Sequence, residues 1–124
     1  MIDAIRAIVG PSHVLEGADC AAYSRDWTGV YPSEPLCVVR PANTAEVAAV
    51  VRAVADAGGA IVPVGGNTGL VGGTQARGEV MLSLERMSRI RTIKQDARIA
   101  VVEAGVVLQS LHDAADAHDL IFPL

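Results

Sequence analysis

Hydrophobic residues along the chain fall into short runs that alternate with a helical pattern of apolar positions. The run Leu36–Arg40 ends at a proline, which is typical of a buried strand. Asn43 and Glu46 then form a capping box that begins a helix, and Gly58-Gly59 ends it. A second strand is predicted at Ile61–Val64. Strand, helix and strand form a βαβ unit, so we predict parallel strands, with the following segment at the carboxyl end of the second strand.

Three more strands and a helix are predicted in the second half of the chain. Val80–Leu84 is typical of a buried strand, and Ile90–Lys94 and Ile99–Glu103 are further candidates that a polar turn separates. A last helix is predicted from about residue 107 to 117. We expect its inner face to consist of Leu108, Leu111 and Ala115.

The N-terminal part of the chain predicts one short helix and an irregular segment. Asp3 is expected to cap the helix, which runs to about Val9 and stops at Gly10-Pro11. Residues 17–35 are irregular and carry three of the chain's aromatic side chains, together with glycine and proline. Such a segment is either a packed wrapping loop or part of a functional surface.

Residues 65–73 carry five of the chain's twelve glycines, directly after the second predicted strand. Glycine adopts positive φ angles and lets other atoms approach the backbone, and turned N–H groups form a nest that suits phosphate oxygens. We infer that this loop holds the pyrophosphate of a nucleotide-type cofactor, with Asn67 and Thr68 as additional side-chain donors. The alternative is a glycine-rich connection that only turns tightly.

Two common phosphate-binding motifs do not fit this loop. A P-loop needs a lysine after its last glycine, and here Gly73 is followed by Thr74. The dinucleotide fingerprint opens directly into a helix, whereas the chain from Val80 is predicted to form a strand. The loop is therefore expected to join two strands and to bind phosphate through its backbone.

Composition and charge narrow the class of protein. The 124 residues suffice for one compact domain, and 51% hydrophobic with 3% aromatic residues predict the aliphatic core of a soluble α/β protein. The formal net charge of −4 gives no general attraction to nucleic acid. No apolar run approaches the roughly 18 residues of a membrane span, and the N-terminus is unlike a signal sequence. We therefore expect a cytoplasmic protein.

Few other residues suggest chemistry. Cys20 and Cys37 lack metal-ligand spacing, so no metal site is predicted and both are expected to be reduced structural thiols. No catalytic role is assigned to His13, His112 or His118. Five of the ten basic residues form either a solvated face or a phosphate-contacting patch: Arg86, Arg89, Arg91, Lys94 and Arg98.

The segment Pro63–Gly73 closely resembles the pyrophosphate-binding loop of the FAD-linked oxidase superfamily, whose flavin domain is of the vanillyl-alcohol-oxidase or PCMH type. It is most similar to the branch that contains D-2-hydroxyglutarate dehydrogenase, D-lactate dehydrogenase and the flavin subunit of glycolate oxidase. Further similarity occurs, in the same order and spacing, at Val39–Val47, Leu82–Ile90, Glu103–Val106 and Phe122–Leu124.

This resemblance implies a flavoprotein oxidoreductase with FAD as its cofactor. FAD would be bound non-covalently, because Asn67-Thr68 offers no histidine for a covalent link. The whole protein would oxidise a D-2-hydroxy acid, such as 2-hydroxyglutarate, lactate or glycolate, to the 2-oxo acid by hydride transfer to the flavin, and would then reduce an electron acceptor. The residues implied to surround FAD are Pro41, Pro63, Gly65, Gly66, Asn67, Thr68, Gly69, Leu70, Gly72, Gly73 and, near the flavin, Pro123 with Leu124.

The resemblance also implies the domain organisation. The fold class would be α/β (α+β): the βαβ-containing lobe of a two-lobed FAD-binding domain, plus the start of the second lobe. We expect an N-terminal helix and wrapping segment over 1–35, the first FAD-binding lobe over 36–96 and a truncated start of the second lobe over 97–124.

The chain is accordingly expected to be an N-terminal fragment without turnover or stable FAD binding of its own. Its apolar end, Leu120–Leu124, is expected to favour homo-oligomer formation. A non-catalytic nucleotide- or phosphate-binding module stays open as a different class of protein, because no catalytic residue is found within the chain.

Overall fold

A four-stranded sheet forms the centre of the molecule in the computed structural model, which describes every residue from Met1 to Leu124. Its strands are β1 (Val14–Leu15), β2 (Cys37–Val39), β3 (Ile61–Val64) and β4 (Val80–Ser83). Their order across the sheet is β1-β2-β4-β3. β2, β4 and β3 run parallel, and β1 is antiparallel to β2. The predicted parallel βαβ arrangement is confirmed, although β4 lies between the two strands that the helix connects.

Two helices pack on this sheet. Helix α1 spans Ile2–Val9 and α2 spans Thr44–Asp56. The Asn43 side chain caps α2, since its Oδ1 accepts from the Glu46 N–H at 2.9 Å, while Glu46 Oε2 accepts from the N–H of Ala42 at 2.7 Å. The predicted cap at Asp3 is wrong, because α1 begins at Ile2 and Asp3 therefore lies in its first turn, paired with Arg6.

The core is aliphatic, as predicted, and occupies both faces of the sheet. All of β2 and β4 is buried, as expected for central parallel strands. On one face, Ile5 and Val9 of α1 and Val50 and Val54 of α2 pack against the sheet. The other face is covered by Cys20, Ala76 and their neighbours. Cys20 and Cys37 are both buried free thiols, which confirms the structural interpretation.

The C-terminal part forms a separate hairpin and helix. Strands β5 (Ile90–Lys94) and β6 (Ile99–Val102) pair antiparallel, and helix α3 spans Leu108–Ala117. Leu111 and Ala115 are buried, as predicted, and line a pocket together with Ile93 and Ile99 of the hairpin. Leu108 is 45% exposed and does not belong to the inner face. Every residue of β6 is exposed, so this hairpin carries a large apolar surface.

The chain between α1 and β2 wraps around the sheet. It contains two 3-10 helices, Pro11–His13 and Gly17–Tyr23, followed by an irregular stretch that reaches β2. Within this stretch Arg25 and Pro32 pair as an isolated antiparallel bridge. We call residues 25–32 the wrapping segment. The longest helix, α2, has 13 residues, and none of the helices has the length and hydrophobicity of a membrane span.

Candidate cofactor-binding site

The glycine loop, residues 65–74, lies at the carboxyl end of β3, as the sequence predicts. β3 is the edge strand of the sheet, which accommodates Pro63 because β3 has a hydrogen-bonded neighbour on one side only. From the end of β3 the loop runs over the surface and returns to β4. Its apolar tip is exposed, Leu70 by 65% and Val71 by 85%. The loop is thus a surface feature carried by the edge strand β3 and the buried strand β4.

The backbone of the glycine loop has free donors on an open side. None of the N–H groups from Gly65 to Thr74 donates a hydrogen bond within the protein. A Cβ built on Gly65, Gly69 or Gly73 would meet no other atom within 4 Å. Unpaired N–H groups on an uncluttered surface suit anionic oxygens. The loop therefore fits the pyrophosphate of FAD, and the glycines keep that surface clear.

Asn67 connects the glycine loop to the wrapping segment. It adopts the left-handed conformation, with φ of 56°, which asparagine tolerates better than most residues. Its Nδ2 donates to the Arg25 carbonyl at 2.8 Å, and its Oδ1 accepts from Thr74 Oγ1 at 2.6 Å. Its backbone carbonyl accepts from the N–H of Trp27 at 2.9 Å. The Asn67 side chain is thus engaged by the protein on both of its polar atoms.

The far end of the loop meets the same segment. Gly72 has φ of +73°, and a Cβ there would stand 2.8 Å from Cδ1 of Tyr31, so the tyrosine ring lies directly on the glycine. Gln75 Nε2 donates to the Pro32 carbonyl at 2.9 Å. Of the two interpretations of residues 17–35, packing is therefore observed, and the packing partner is the candidate site itself.

A tyrosine and a carboxylate meet near the same edge of the sheet. Tyr23 donates from its hydroxyl to Glu85, and Ser83 Oγ donates to Oε1 of the same carboxylate at 2.9 Å. Burial, reinforced by the hydrogen bond to Glu85, raises the pKa of the Tyr23 phenol above its ordinary value. Tyr23 therefore stays a neutral donor at physiological pH. Only the position of Ser83 at the end of a predicted strand, with Glu85 directly after that strand, could have indicated this cluster.

Two of the predicted site residues belong to segments other than the glycine loop. Pro41 is fully buried just beyond β2. Pro123 lies in the C-terminal segment and shares a groove with His112, whose ring centroid is 6.4 Å from that of Phe122. No hydrogen bond joins this segment to the loop. The roles expected for Pro41 and Pro123 stay predictions.

The basic cluster bonds mainly to the protein or faces solvent. Arg86 Nη1 donates to the Arg40 carbonyl at 2.7 Å, and Arg89 lies 3.3 Å from the carboxylate of Glu103. The three remaining members, Arg91, Lys94 and Arg98, are exposed on the hairpin. This arrangement favours the solvated face over the phosphate-contacting patch.

The fold matches that of one part of two larger enzymes of known structure. A 4-ethylphenol oxidase from Gulosibacter chungangensis superposes with a TM-score of 0.83 at 26% identity over 95% of this chain and 24% of that one. A p-cresol methylhydroxylase superposes with a TM-score of 0.79 at 26% identity, over 96% of this chain and 24% of that one. The expected fold class is confirmed.

Sequence comparison defines the family. The FAD binding domain family matches residues 35–124, and the chain belongs to it. A D-2-hydroxyglutarate dehydrogenase from Xanthomonas citri pv. viticola is 41% identical over 110 residues, which are 88% of this chain and 23% of that protein. The corresponding protein of Stutzerimonas stutzeri is 36% identical over the whole chain and 27% of its own length. This chain thus spans about a quarter of these curated relatives, and FAD is the cofactor of its family.

Proposed function

We propose that the protein is an FAD-dependent dehydrogenase that oxidises a D-2-hydroxy acid to the corresponding 2-oxo acid. The observation that carries the proposal is the glycine loop, whose free N–H groups lie on an open surface of an FAD binding domain. The substrate class is supported by relatives named D-2-hydroxyglutarate dehydrogenase, D-2-hydroxyglutarate–pyruvate transhydrogenase and D-lactate dehydrogenase. The reaction also needs an electron acceptor, which reoxidises the flavin.

Within this function the chain's own residues bind and orient the cofactor. N–H groups of the loop donate to the pyrophosphate oxygens, and the helix-free turn keeps these donors at the carboxyl edge of the sheet. FAD, when bound, supplies the hydride-accepting chemistry. No residue of this chain is assigned a catalytic role. The proposed contacts are Pro41, Pro63, Gly65, Gly66, Asn67, Thr68, Gly69, Leu70, Gly72, Gly73 and Pro123.

The domain organisation follows the same proposal. Residues 36–96 contain the parallel sheet and the loop and act as the first FAD-binding lobe, and residues 97–124 begin the second lobe. Residues 1–35 form the N-terminal helix and wrapping region. A cytoplasmic location stays a prediction, and relatives from rice and Arabidopsis are named as mitochondrial.

Purification of the protein expressed from its full gene tests the function. We expect a yellow protein whose flavin is released by acid precipitation, because binding is non-covalent. Anaerobic addition of D-2-hydroxyglutarate or D-lactate should bleach the flavin absorbance, whereas the L-enantiomers should not. A protein that binds FAD but is bleached by no D-2-hydroxy acid would instead be a nucleotide-binding module. A protein that binds no flavin would contradict the proposal altogether.

A further inference from the structure

We propose that the wrapping segment, residues 25–32, is a clamp that holds the glycine loop in its FAD-binding shape, and that Asn67 is the positioning residue at its centre. This inference rests on the proposed function, since it explains how the loop is prepared for the cofactor. It also changes the role expected for Asn67. Its side chain acts on the protein, and its contribution to FAD binding is the geometry that it imposes on the backbone.

The glycine loop has little to hold it in one conformation on its own. A segment with five glycines and no internal backbone hydrogen bonds from Gly65 to Thr74 samples many conformations when nothing else holds it. Binding would then have to order the loop, at the expense of affinity. Contacts that fix the loop beforehand remove that cost, so the source of these contacts determines how tightly FAD is held.

Asn67 provides the central contacts. Its amide bridges the Arg25 carbonyl on the wrapping segment and the Thr74 hydroxyl at the far end of the loop. One side chain therefore ties the loop both to its neighbour and to itself. The Trp27 N–H adds a third bond, to the Asn67 carbonyl. Together these bonds fix residue 67 in the left-handed conformation that turns the chain.

The wrapping segment is itself ordered locally. Asp26 is buried, and its Oδ1 accepts from Thr28 Oγ1 at 2.7 Å and from the Gly29 N–H at 3.0 Å. This closed turn holds the backbone of Trp27 in place. The bridge between Arg25 and Pro32 closes the base of the segment. The segment is therefore a preformed partner for the loop.

The second point of attachment is the pair Tyr31 and Gly72. The tyrosine ring lies against the glycine, and the Gln75 side chain holds the backbone of Pro32 beside it. The loop is thus held at residue 67 and again at residues 72–75. Between these points lie residues 68–71, which make no such contact and remain available to a ligand. The clamp leaves the pyrophosphate-facing part free.

Variants of the protein expressed from its full gene distinguish the effect of the Asn67 side chain from the effect of the backbone conformation at residue 67. Asn67→Gly keeps the left-handed backbone accessible and removes only the bridging amide. Thr74→Val removes the hydroxyl, and Thr74→Ser restores it. Asn43→Ala is the matched control, because that asparagine also bonds to backbone but does so at the cap of α2. Apoprotein is titrated with FAD by flavin fluorescence.

We expect Asn67→Gly and Thr74→Val each to raise the Kd for FAD by about tenfold or more. Thr74→Ser and Asn43→Ala should stay within about twofold of the unchanged protein. Rescue by serine separates a positioning hydroxyl from a general loss of stability. If Asn67→Gly does not fold, the Thr74 pair makes the same comparison. An unchanged Kd in Asn67→Gly or in Thr74→Val would overturn the clamp.

A second measurement does not depend on flavin. Arg25 is exposed, and its carbonyl, at the bond that trypsin cleaves, is held by Asn67. Tryptic cleavage after Arg25 should be about fivefold faster in Asn67→Gly and unchanged in Asn43→Ala. Equal cleavage rates in all three proteins would refute the clamp. Absence of flavin binding with faster cleavage in Asn67→Gly would instead refute the proposed function, and with it the clamp's role toward FAD.

Discussion

Gly105 packs directly on the backbone of Leu84. A Cβ on Gly105 would stand 1.8 Å from the Leu84 carbonyl oxygen and 2.8 Å from that of Met87. The Gly105 N–H donates to the same Met87 carbonyl at 2.8 Å. This contact fastens the chain after the β5–β6 hairpin to the end of the four-stranded sheet.

Gly105→Ala is expected to be strongly destabilising, because the methyl group would meet backbone that cannot rotate away. The expected loss in the free energy of unfolding is about 3 kcal/mol or more, at the upper end of overpacking effects. Urea unfolding followed by circular dichroism measures it. A loss below about 1 kcal/mol would show that the two segments separate easily.

Gly69→Ala is expected to leave the free energy of unfolding almost unchanged and to weaken FAD binding. Its Cβ would point into open space, so the free energy of unfolding of the apoprotein should change by no more than about 0.5 kcal/mol. The methyl group would, however, stand on the proposed pyrophosphate surface and raise the Kd for FAD by about tenfold. The titration and the unfolding experiment are done on the same preparation. Unaltered FAD affinity would place the cofactor elsewhere.

The buried thiol of Cys37 should make the free energy of unfolding fall as the pH becomes alkaline. Burial raises the pKa of its thiol from 9.0 to about 11, and the negative charges of Glu16 and ionised Cys20 add to the effect. A raised pKa means that the stabilising contribution is complete below the unfolded value of 9.0 and is lost as pH rises through about 11.

The comparison with Cys37→Ala isolates this contribution. Between about pH 8 and pH 11, the free energy of unfolding should fall by about 2 kcal/mol more in the unchanged protein than in the variant. The cavity left by alanine lowers stability at every pH and does not alter this difference. Parallel pH curves for the two proteins would show that the thiol is not perturbed.

The apolar C-terminal surface should drive association of the 124-residue chain. Ile121 is 89% exposed, Val101 is 40% exposed on β6, and β6 pairs only with β5, so its outer edge is free. Size-exclusion chromatography at increasing concentration should show larger species, which Val101→Lys combined with Ile121→Lys reduces. Val51→Lys, at a 44% exposed valine on α2, is the control and should have no effect. A concentration-independent monomer would contradict this prediction.

The sequence predicts the elements better than their arrangement. Apolar periodicity and capping residues locate α2 and all four longer strands to within about two residues, because these signals are local. The position of β4 between β2 and β3 is not local information, since it depends on how the sheet assembles around β4, the strand with the most buried side chains. The expectation that Leu108 lies on the inner face is wrong for a related reason. Helical spacing shows which residues share a face, but which part of that face is covered depends on tertiary packing.

In the candidate site, too, local features can be predicted from the sequence and long-range contacts cannot. Glycine spacing is visible in the sequence and locates the loop at the end of β3. The bond between Asn67 and Arg25 joins residues 42 positions apart, and no periodic pattern encodes such a contact. The donor role expected for Asn67 toward a phosphate stays a prediction, whereas its bonds to Arg25 and Thr74 become visible only in the packed structure.

On the ribosome, β2 and β3 leave the exit tunnel before β4 emerges to pair with both of them. Neither strand has its native parallel neighbour until residues 80–83 have emerged, so the sheet cannot close during synthesis of the first 79 residues. The glycine loop lies within that stretch. The loop therefore emerges from the ribosome before the sheet that carries it can form.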